Sequence, residues 1–379
     1  MNKCIAKALE YKGHTKLNPV VGAAVVKDGK IIAIDAHRRF GSKHAEVNVL
    51  EKAGNEAFGS DLYVTLEPCS VYSKTPPCVH KIVEGGIKRV FIGVADPNPY
   101  NYGKGISFLR DKGVEVYIGF QMEGCAKIIE DFTKYILRGE PYYIVKIAQS
   151  LDGKIATKNL DSRWITNSSS RAYVHYIRST CDAILVGINT VKTDDPLLDV
   201  RFFGENVNNP KKVVLDAKLS IDESSNLVRK YPKDLIIFTG NNVSKLKVDK
   251  LKEKGVKVIN CNVSDEGFID LSEVSRNLTN LNILRVLVEG GSNIFGSFFD
   301  KNIADYAYFF CAPIIIGGRD GVSSVGGNGV DSIKDATKIL DPLIQRFEDD
   351  IMIYGKIKDY SRYVIKKTEK VAMRCSQAL

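Results

Sequence analysis

Short apolar runs alternate with amphipathic stretches along the first part of the chain. Two apolar runs, GAAVV and IIAI, flank Asp28-Gly29, a pair that favours a tight β-hairpin turn. The segment HAEVNVLEKAG has helical spacing and ends at Gly54, and the runs LYVTL and RVFIGV predict two strands. A further helical stretch covers residues 125–137. This alternation predicts α/β units.

The second part of the chain restarts with the strand pattern YYIVKIAQSLDG, just after Gly139 and Pro141. Six more strand-like runs follow it: DAILVGINTV, KKVVLD, DLIIFTG, VKVINC, RVLVEGG and YAYFFCAPIIIGG. The Gly and Pro punctuation predicts a domain boundary. We therefore expect domains at residues 1–143 and 144–365, followed by a tail at 366–379 that shows neither a helix nor a strand pattern.

Length and composition are those of a globular protein of two or three domains, with 379 residues, 44% hydrophobic and 26% charged. No apolar run is long enough for a membrane span, and the N-terminus lacks a signal-peptide pattern, which predicts a cytoplasmic protein. Eight cysteines without framework spacing are expected to stay reduced there. The net charge of +9 is spread over both parts, so it favours anionic small molecules over nucleic acid.

A compound motif in the first part carries the most specific chemistry. His44 and Glu46 open the predicted helix, while Cys69 and Cys78 each follow a proline beyond the next strand. One imidazole and two thiolates make a three-ligand zinc site with a fourth position for water, the catalytic arrangement. Zinc lowers the pKa of such a water to about 7, and Glu46 is placed to carry its proton to a leaving amine. Each residue alone is more often structural, but H-x-E followed by P-C and a second cysteine is typical of zinc nucleobase deaminases.

The motifs HAE, VTLEPCS and TPPC, together with NPVVG and DPNP, resemble the deaminase half of the bifunctional riboflavin-biosynthesis deaminase/reductase family. The resemblance implies a cytidine-deaminase-like α/β/α sandwich in which the long loop between the two cysteines helps to hold the substrate. It also implies substrate contacts at Asn18, Lys74 and Thr75, with Lys74 on the phosphate. The alternative for Lys74 is an ordinary surface lysine.

Four motifs in the second part are softer when taken singly: KIAQSLDGKIA, SRWIT, GINTVKTDDPLLDVR and VEGGSNIFGSFF. None is the G-x-G-x-x-G fingerprint of a Rossmann fold. Gly290-Gly291-Ser292 follow a predicted strand instead, where small residues let backbone N–H groups approach a phosphate at a helix N-terminus. As an ordered set, the motifs resemble the reductase half of the same family, which has a dihydrofolate-reductase-like fold and uses NADPH.

By that resemblance, two groups of residues contact ligands in the second domain. The cofactor-binding group is Ala148, Trp164, Thr190, Asp194, Gly291, Ser292, Asn293, Ile294, Phe295, Gly296 and Ser297. The substrate-binding group is Ser162, Arg178, Leu198, Arg201 and Glu289. The two arginines suit the substrate phosphate, because guanidinium groups bind phosphate oxygens bidentately. The alternative for each arginine is an ion pair, with Asp199 as the candidate partner of Arg201.

Four positions depart from the family pattern: Lys16, Leu17, Val71 and Ala217. Family members usually have His-Pro at the first two positions, histidine at the third and serine at the fourth. The predicted zinc ligands and Glu46 are not among these positions. The departures therefore concern contacts with the substrate and the cofactor.

These observations predict a bifunctional enzyme with zinc and NADPH as cofactors. Its first domain is expected to deaminate 2,5-diamino-6-(5-phosphoribosylamino)pyrimidin-4-one, and its second domain to reduce the ribosyl chain to ribityl. We expect a small phosphoribosylated pyrimidine as the ligand, a homo-oligomer, and neither nucleic acid nor membrane as a partner. One alternative is a nucleic-acid base deaminase with an unrelated second domain. Another is a non-catalytic, zinc-stabilised binding protein, although a structural zinc site has no need of Glu46.

Overall fold

The computed structural model describes residues 1–72, 76–201 and 208–376 and divides the chain into two compact units. The first unit contains Met1–Gly139 and the segment that begins at Asp359, and the second contains Glu140–Lys358. Both units combine helices with a mixed sheet, so the predicted α/β class is confirmed. Within the described ranges, none of the helices is both long and apolar enough to cross a membrane.

A five-stranded sheet forms the centre of the first unit. Its strands are β1 (Gly22–Lys27), β2 (Lys30–Ala36), β3 (Asp61–Leu66), β4 (Arg89–Val94) and β5 (Glu115–Ile118). The helices up to residue 139 are α1 (Asn2–Leu9), α2 (Ala45–Ala53), α3 (Cys78–Glu84), α4 (Lys104–Asp111), α5 (Met122–Ile128) and α6 (Glu130–Arg138), with a 3₁₀ turn at Gly54–Ala57. The strand order is β2-β1-β3-β4-β5, in which β3, β4 and β5 are parallel and β1 is antiparallel to both neighbours.

The elements next to the predicted metal ligands form where the sequence places them. Asp28 and Gly29 have φ values of 50° and 75°, which a two-residue hairpin turn requires, and they join β1 to β2. Helix α2 starts directly after His44 and stops at Gly54, which has a positive φ of 53°. The helix therefore carries His44 and Glu46 at its N-terminal end.

A nine-stranded sheet forms the centre of the second unit, beside a two-stranded ribbon. The strands are β6 (Tyr142–Ser150), β7 (Lys154–Ala156), β8 (Ala183–Gly187), β9 (Lys211–Leu215), β10 (Leu235–Thr239), β11 (Lys257–Asn260), β12 (Arg285–Val288), β13 (Tyr306–Ala312), β14 (Val322–Ser323), β15 (Leu340–Phe347) and β16 (Asp350–Lys356). The helices are α7 (Ser168–Ser179), α8 (Ile188–Asp194), α9 (Asn226–Lys230), α10 (Lys245–Glu253), α11 (Leu271–Asn280) and α12 (Ser292–Asp300), with 3₁₀ turns at Pro232–Asp234 and Ile333–Asp335.

The order of the large sheet brings several parallel strand ends to one edge. The order is β11-β10-β9-β8-β12-β6-β13-β16-β15, and the first seven strands in this order are parallel to one another. The hairpin of β15 and β16 adds antiparallel strands at the far side. Ligands in open parallel sheets bind outside the carboxyl ends of the strands, so Gly187 and Glu289 lie where a site is expected.

The sequence predicts a tail without helix or strand over residues 366–379, and the structure corrects this prediction. A helix, α13 (Ser361–Ser376), covers most of that segment. Val364 and Val371 are buried in the core of the first unit, and Thr368 between them is fully buried. The helical spacing is present, but a polar threonine in the middle of the buried stripe conceals it in the sequence.

Candidate active sites

Three predicted metal ligands converge in the first unit. His44 precedes α2, Cys78 is the first residue of α3, and Cys69 lies in the loop after β3. The Nδ1 atom of His44 lies 3.2 Å from Cys78 Sγ and 3.5 Å from Cys69 Sγ, and the three donor atoms lie within 4.8 Å of one another. Tetrahedral zinc with ordinary Zn–N and Zn–S bonds would separate such donors by about 3.6 Å. The spacing therefore fits a zinc ion bound by all three residues.

The charge state of Cys69 also suits a metal. Hydrogen bonds from Cys78 and His44 outweigh the effect of burial and lower the pKa of Cys69 to about 4. The backbone N–H of Cys78 donates to Cys69 Sγ over 3.3 Å as well. Sharing its proton with that thiolate raises the pKa of Cys78. Cys69 is therefore held as a thiolate, the form in which cysteine binds metals.

Glu46 lies beside this cluster in the first turn of α2. The residue is 4% exposed, and burial raises the pKa of its carboxyl to about 7, against the opposing charge of His44. The neighbouring Cys78 partly offsets that rise in the pKa. A carboxyl with a pKa near neutrality can both accept and release a proton, as a general acid–base group must.

A second histidine connects the metal cluster to Asn18. The ring of His37 lies edge-on to that of His44, with 5.3 Å between the centroids. Its Nδ1 lies 3.1 Å from the carbonyl oxygen of Lys43, and its Nε2 lies 3.1 Å from Asn18 Nδ2. Burial lowers the pKa of His37, so the ring is neutral, donating from Nδ1 and accepting from Asn18 at Nε2. No sequence motif singles out His37, although it precedes HAE in the same segment.

The remaining substrate positions predicted for the first unit, Lys74 and Thr75, lie outside the described residues. The neighbouring departure from the family pattern, Val71, is exposed. Lys16 has a left-handed backbone with φ 49°, immediately before the segment that carries Asn18.

A cavity of about 1660 Å³ lies in the second unit at the carboxyl ends of its parallel strands. Ordinary ligand pockets measure about 300–1,000 Å³, so this one has room for a cofactor and a substrate together. The predicted residues along its wall are Ala148, Ser162, Trp164, Arg178, Thr190, Asp194, Leu198, Arg201, Glu289, Gly291, Ser292, Asn293, Ile294, Phe295 and Ser297. Ala217 lines the same cavity.

The turn from β12 into α12 forms one side of this cavity. Gly291 precedes α12 with φ 83° and ψ 141°, a conformation that essentially only glycine adopts. A Cβ atom on Gly290 would lie 2.8 Å from Val186 Cβ, so the turn packs closely on the neighbouring strand. Gly296 faces elsewhere, because a Cβ there would lie 2.3 Å from the backbone of Gly326. The turn thus exposes the N-terminus of α12 to the cavity, while Gly296 allows close packing behind it.

The two predicted phosphate arginines have different surroundings. The fork of Arg178 binds Glu289 bidentately, with distances of 2.6 and 2.7 Å, and its third nitrogen donates to the carbonyl oxygen of Asp199 over 3.1 Å. Both partners are largely buried. Although burial opposes it, the charge of Arg178 lowers the pKa of Glu289. The resemblance implies that Arg178 and Glu289 both contact the substrate, and in the structure these two residues form an ion pair with each other.

Arg201 is more exposed and more loosely held. Its side chain is 56% exposed, and its Nε lies 3.2 Å from Asp199 Oδ1. Its backbone N–H donates to His175 Nδ1 over 3.2 Å. His175 is buried, lines the cavity, and has a pKa lowered by that burial. The exposed side chain of Arg201 is therefore accessible to a ligand in the cavity.

Lys146, the first residue of the KIAQSLDGKIA motif, is a cavity residue that is not among the predicted site residues. It lies two positions before Ala148 on β6, so both side chains point to the same face of the sheet. Burial lowers the pKa of Lys146, and the charge of Glu289 partly offsets that effect. Its Nζ lies 5.7 Å from the centre of the Phe310 ring. Because side chains two positions apart on a strand share a face, the prediction of Ala148 as a cofactor contact could also have indicated Lys146.

Two families match separate parts of the chain. Residues 1–94 match the cytidine and deoxycytidylate deaminase zinc-binding region, and residues 141–353 match the RibD C-terminal domain. The first match spans His44 and both cysteines, and the second spans the whole predicted substrate and cofactor set of the second domain. Fold, metal cluster and matches together define a two-domain enzyme, a zinc-dependent deaminase joined to a reductase.

Full-length relatives narrow the class further. The riboflavin biosynthesis protein RibD of Bacillus amyloliquefaciens is 40% identical over 359 residues, 95% of this chain and 96% of that protein. A solved deaminase/reductase of Thermotoga maritima is 34% identical with a TM-score of 0.81, covering 93% of this chain and 96% of that one. RibD of Acinetobacter baumannii in one crystal form gives a TM-score of 0.83 at 30% identity, with the same coverage. The chain belongs to the RibD family of riboflavin biosynthesis.

Membership in this family confirms the predicted pair of activities, a deaminase and a reductase of riboflavin biosynthesis, with zinc and NADPH as cofactors. The alternative of a nucleic-acid base deaminase with an unrelated second domain is wrong, because residues 141–353 match the RibD C-terminal domain. The alternative of a non-catalytic binding protein is wrong for the same reason.

Proposed function

We propose that the first unit removes an amino group from a phosphoribosylated diaminopyrimidinone by hydrolysis, at the cluster of His44, Cys69 and Cys78. The observation that carries this proposal is the convergence of one nitrogen and two sulfurs within 4.8 Å, beside the buried carboxyl of Glu46. Zinc held by these three residues would supply a water molecule acidified to a pKa of about 7. The substrate class is the one for which the Thermotoga maritima enzyme is named, a diaminohydroxyphosphoribosylaminopyrimidine.

Glu46 moves the proton in this proposal. Its pKa of about 7 lets the carboxylate accept a proton from water and the carboxylic acid return it to the leaving amine. A carboxyl with the ordinary pKa would be a weaker acid–base partner at neutral pH. The buried carboxyl group lies in the first turn of α2, directly after the proposed ligand His44.

Asn18 orients the pyrimidine in this proposal, with Lys74 and Thr75 as further substrate contacts. The Asn18 amide nitrogen is held by the neutral ring of His37, so that the amide oxygen can accept from a substrate amino group. His37 is thus a positioning residue for Asn18. Lys74 supplies a cation for the substrate phosphate.

The second unit reduces the ribosyl chain of the deaminated product. NADPH, when bound, supplies the hydride. We place its diphosphate at the N-terminus of α12, where Gly291 gives the backbone close access and the helix dipole favours an anion. The rest of the cofactor lies along Ala148, Trp164, Thr190, Asp194 and the residues from Ser292 to Ser297. Gly296 packs against Gly326 and supports this surface from behind, without contacting the cofactor itself.

The substrate occupies the opposite part of the cavity, against Ser162 and Leu198. Arg201 binds its phosphate, because this side chain is exposed and only loosely paired. The buried pair of Arg178 and Glu289 forms a fixed floor that presents carboxylate oxygens to the ribosyl hydroxyls. Lys146 donates a hydrogen bond to a sugar oxygen from the same face of the sheet as Ala148.

Two further expectations enter the proposal, a cytoplasmic location and a homo-oligomer. The edge strand β15 supports the homo-oligomer, since Leu343 and Ile344 are 56% and 73% exposed there. Exposed apolar side chains on an edge strand favour association with a second copy.

The direct test supplies the diaminopyrimidinone phosphate to the zinc-loaded protein. We expect ammonia release without NADPH, and oxidation of NADPH, seen at the nicotinamide absorbance band, only after ammonia has been released. Ammonia release that needs NADPH would contradict two separate sites. Absence of ammonia with a zinc-loaded protein would contradict the proposed substrate.

A further inference from the structure

The C-terminal helix α13 completes the first unit from the other end of the chain. Val364 and Val371 belong to the same buried core as the strands of the five-stranded sheet. The backbone N–H of Ser361 donates to the Glu130 carboxylate over 3.1 Å and ties the start of the helix to α6. The match to the RibD C-terminal domain ends at residue 353, before this helix begins. The helix therefore belongs physically to the deaminase unit.

Helix α13 holds the segment 95–105, which runs from the end of β4 into α4. Thr368 is fully buried; its Oγ1 accepts from the backbone N–H of Ala95 over 3.0 Å and donates to the carbonyl oxygen of Val364 over 2.8 Å. Further along, the Tyr102 hydroxyl donates to the carbonyl oxygen of Lys367 over 3.0 Å. The Lys367 ammonium lies 4.1 Å from the centre of the Tyr102 ring. Both halves of the segment are thus bound to the helix.

The same segment holds the residues on both sides of the metal ligand Cys69. The buried carboxylate of Glu67 accepts from the backbone N–H groups of Asp96, Gly103 and Gly105, each over 3.0 Å. On the other side of Cys69, the Oδ1 atom of Asn101 accepts from the backbone N–H and the hydroxyl of Ser70, both over 2.8 Å.

Backbone packing adds a second constraint on this loop. A Cβ atom on Gly105 would lie 2.1 Å from the carbonyl oxygen of Pro68, so the segment touches the backbone just before Cys69. The Asn101 amide nitrogen also donates to that oxygen, over 3.4 Å. The position of Cys69 is therefore set by its neighbours Glu67, Pro68 and Ser70, all of which contact the segment 95–105.

We propose that α13 is a positioning element of the metal centre, acting on Cys69 through Thr368 and the segment 95–105. This inference rests on the proposed metal centre. Groups that orient metal ligands from outside affect metal affinity and activity by about 10–100-fold. Thr368 acts through Ala95, Asp96 and Glu67, so the lower end of that range is expected.

The test compares full-length Thr368→Val and Thr368→Ser with the wild type. The valine variant keeps the shape but leaves the Ala95 N–H without its acceptor, whereas serine keeps the hydroxyl. We expect zinc affinity, measured by competition with a chromogenic chelator, to fall about tenfold in the valine variant and to return with serine. The kcat of ammonia release should fall with it, and reduction of deaminated substrate by the second unit should be unchanged.

Thr133→Val is the matched control. Thr133 is also fully buried in the first unit, and its hydroxyl donates to the Ile129 carbonyl oxygen one turn earlier over 2.9 Å. This variant loses the same hydroxyl without touching the segment 95–105, so its zinc affinity should equal that of the wild type. If Thr133→Val weakens zinc as much as Thr368→Val, the effect is general destabilisation and the inference is wrong.

Tyr102→Phe gives an independent perturbation if Thr368→Val folds poorly. It removes the hydrogen bond to Lys367 and keeps the ring, so we expect a smaller loss of zinc affinity in the same direction. Wild-type zinc affinity in both Thr368→Val and Tyr102→Phe would overturn the inference, even if both variants melt at lower temperature. A wild-type protein that binds no zinc would instead contradict the metal centre itself.

Discussion

Replacing Arg201 with alanine separates phosphate binding from surface ion pairing in the second unit. The Arg201 side chain is 56% exposed and pairs with Asp199 at 3.2 Å. The guanidinium of this pair is open to solvent although the Asp199 carboxylate is only 11% exposed, and a pair screened by solvent in this way contributes about 1 kcal/mol to stability. A charge-assisted hydrogen bond to a phosphate contributes about 1.5–3 kcal/mol. If Arg201 binds the phosphate, the loss of affinity must therefore exceed the loss of stability.

The expected result is a substrate affinity about ten- to a hundredfold weaker, because each 1.4 kcal/mol changes an affinity by about tenfold. NADPH affinity should stay close to the wild-type value, since the cofactor is assigned to the α12 side of the cavity. The substrate affinity of Arg201→Lys should lie between those of the wild type and Arg201→Ala, because lysine keeps the charge and lacks the guanidinium fork. Calorimetric titration with the deaminated substrate, beside a thermal melt of each protein, measures both quantities.

Arg89→Ala is the matched control for the loss of an exposed ion pair. Arg89 binds the Asp61 carboxylate bidentately at 2.6 and 2.7 Å in the first unit, and its side chain is 44% exposed. This variant should leave the substrate affinity of the reductase unchanged. Wild-type substrate affinity in Arg201→Ala, together with a lowered melting temperature, would refute the phosphate contact and leave Arg201 as a partner of Asp199.

Two further predictions concern the α12 turn and the acid stability of the first unit. Gly291→Leu should weaken NADPH binding and spare ammonia release. Gly255 lies outside the cavity and has a similarly positive φ of 96°, so Gly255→Leu is the control for backbone strain. Equal losses of NADPH affinity in the two variants would contradict the assignment of the NADPH diphosphate to the α12 turn. Asp35 is buried, yet hydrogen bonds from Arg38 and Lys52 lower its pKa from 3.8 to about 2. The ionised carboxylate therefore stabilises the fold above about pH 4, and this contribution to stability is lost as the pH falls toward 2. Chemical denaturation over that window should show a steeper loss in the wild type than in Asp35→Asn, and identical slopes would contradict the pairing.

The local features of the metal centre could be predicted because short sequence patterns determine them. Asp28-Gly29 determines a hairpin turn, and a proline before each cysteine marks the strand end and the helix start. His44 and Glu46 are two positions apart at a helix start, so this spacing alone predicts that they lie close together. These contacts depend on few neighbours, and the pattern indicates them directly.

The features that the sequence concealed depend on partners far along the chain. Arg178 and Glu289 are 111 positions apart, and no local pattern reveals that they form a buried pair. In the sequence, Thr368 resembles a surface residue, whereas in the structure its hydroxyl is bound to the backbone N–H of Ala95. Glu67 has the character of an exposed acid at a strand end, although it binds backbone N–H groups at the start of α4. Polar residues that are buried by remote partners look solvent-exposed in a single sequence.

The most direct test of the central claim measures zinc content and ammonia release side by side in Glu46→Gln. Glu46 is assigned to proton transfer, and metal binding is left to His44, Cys69 and Cys78. We therefore predict about one zinc per chain in the variant, as in the wild type, and ammonia release slower by about 10²–10⁴-fold. NADPH-dependent reduction of already deaminated substrate should be unchanged. Ammonia release near the wild-type rate from zinc-loaded Glu46→Gln would contradict the claim.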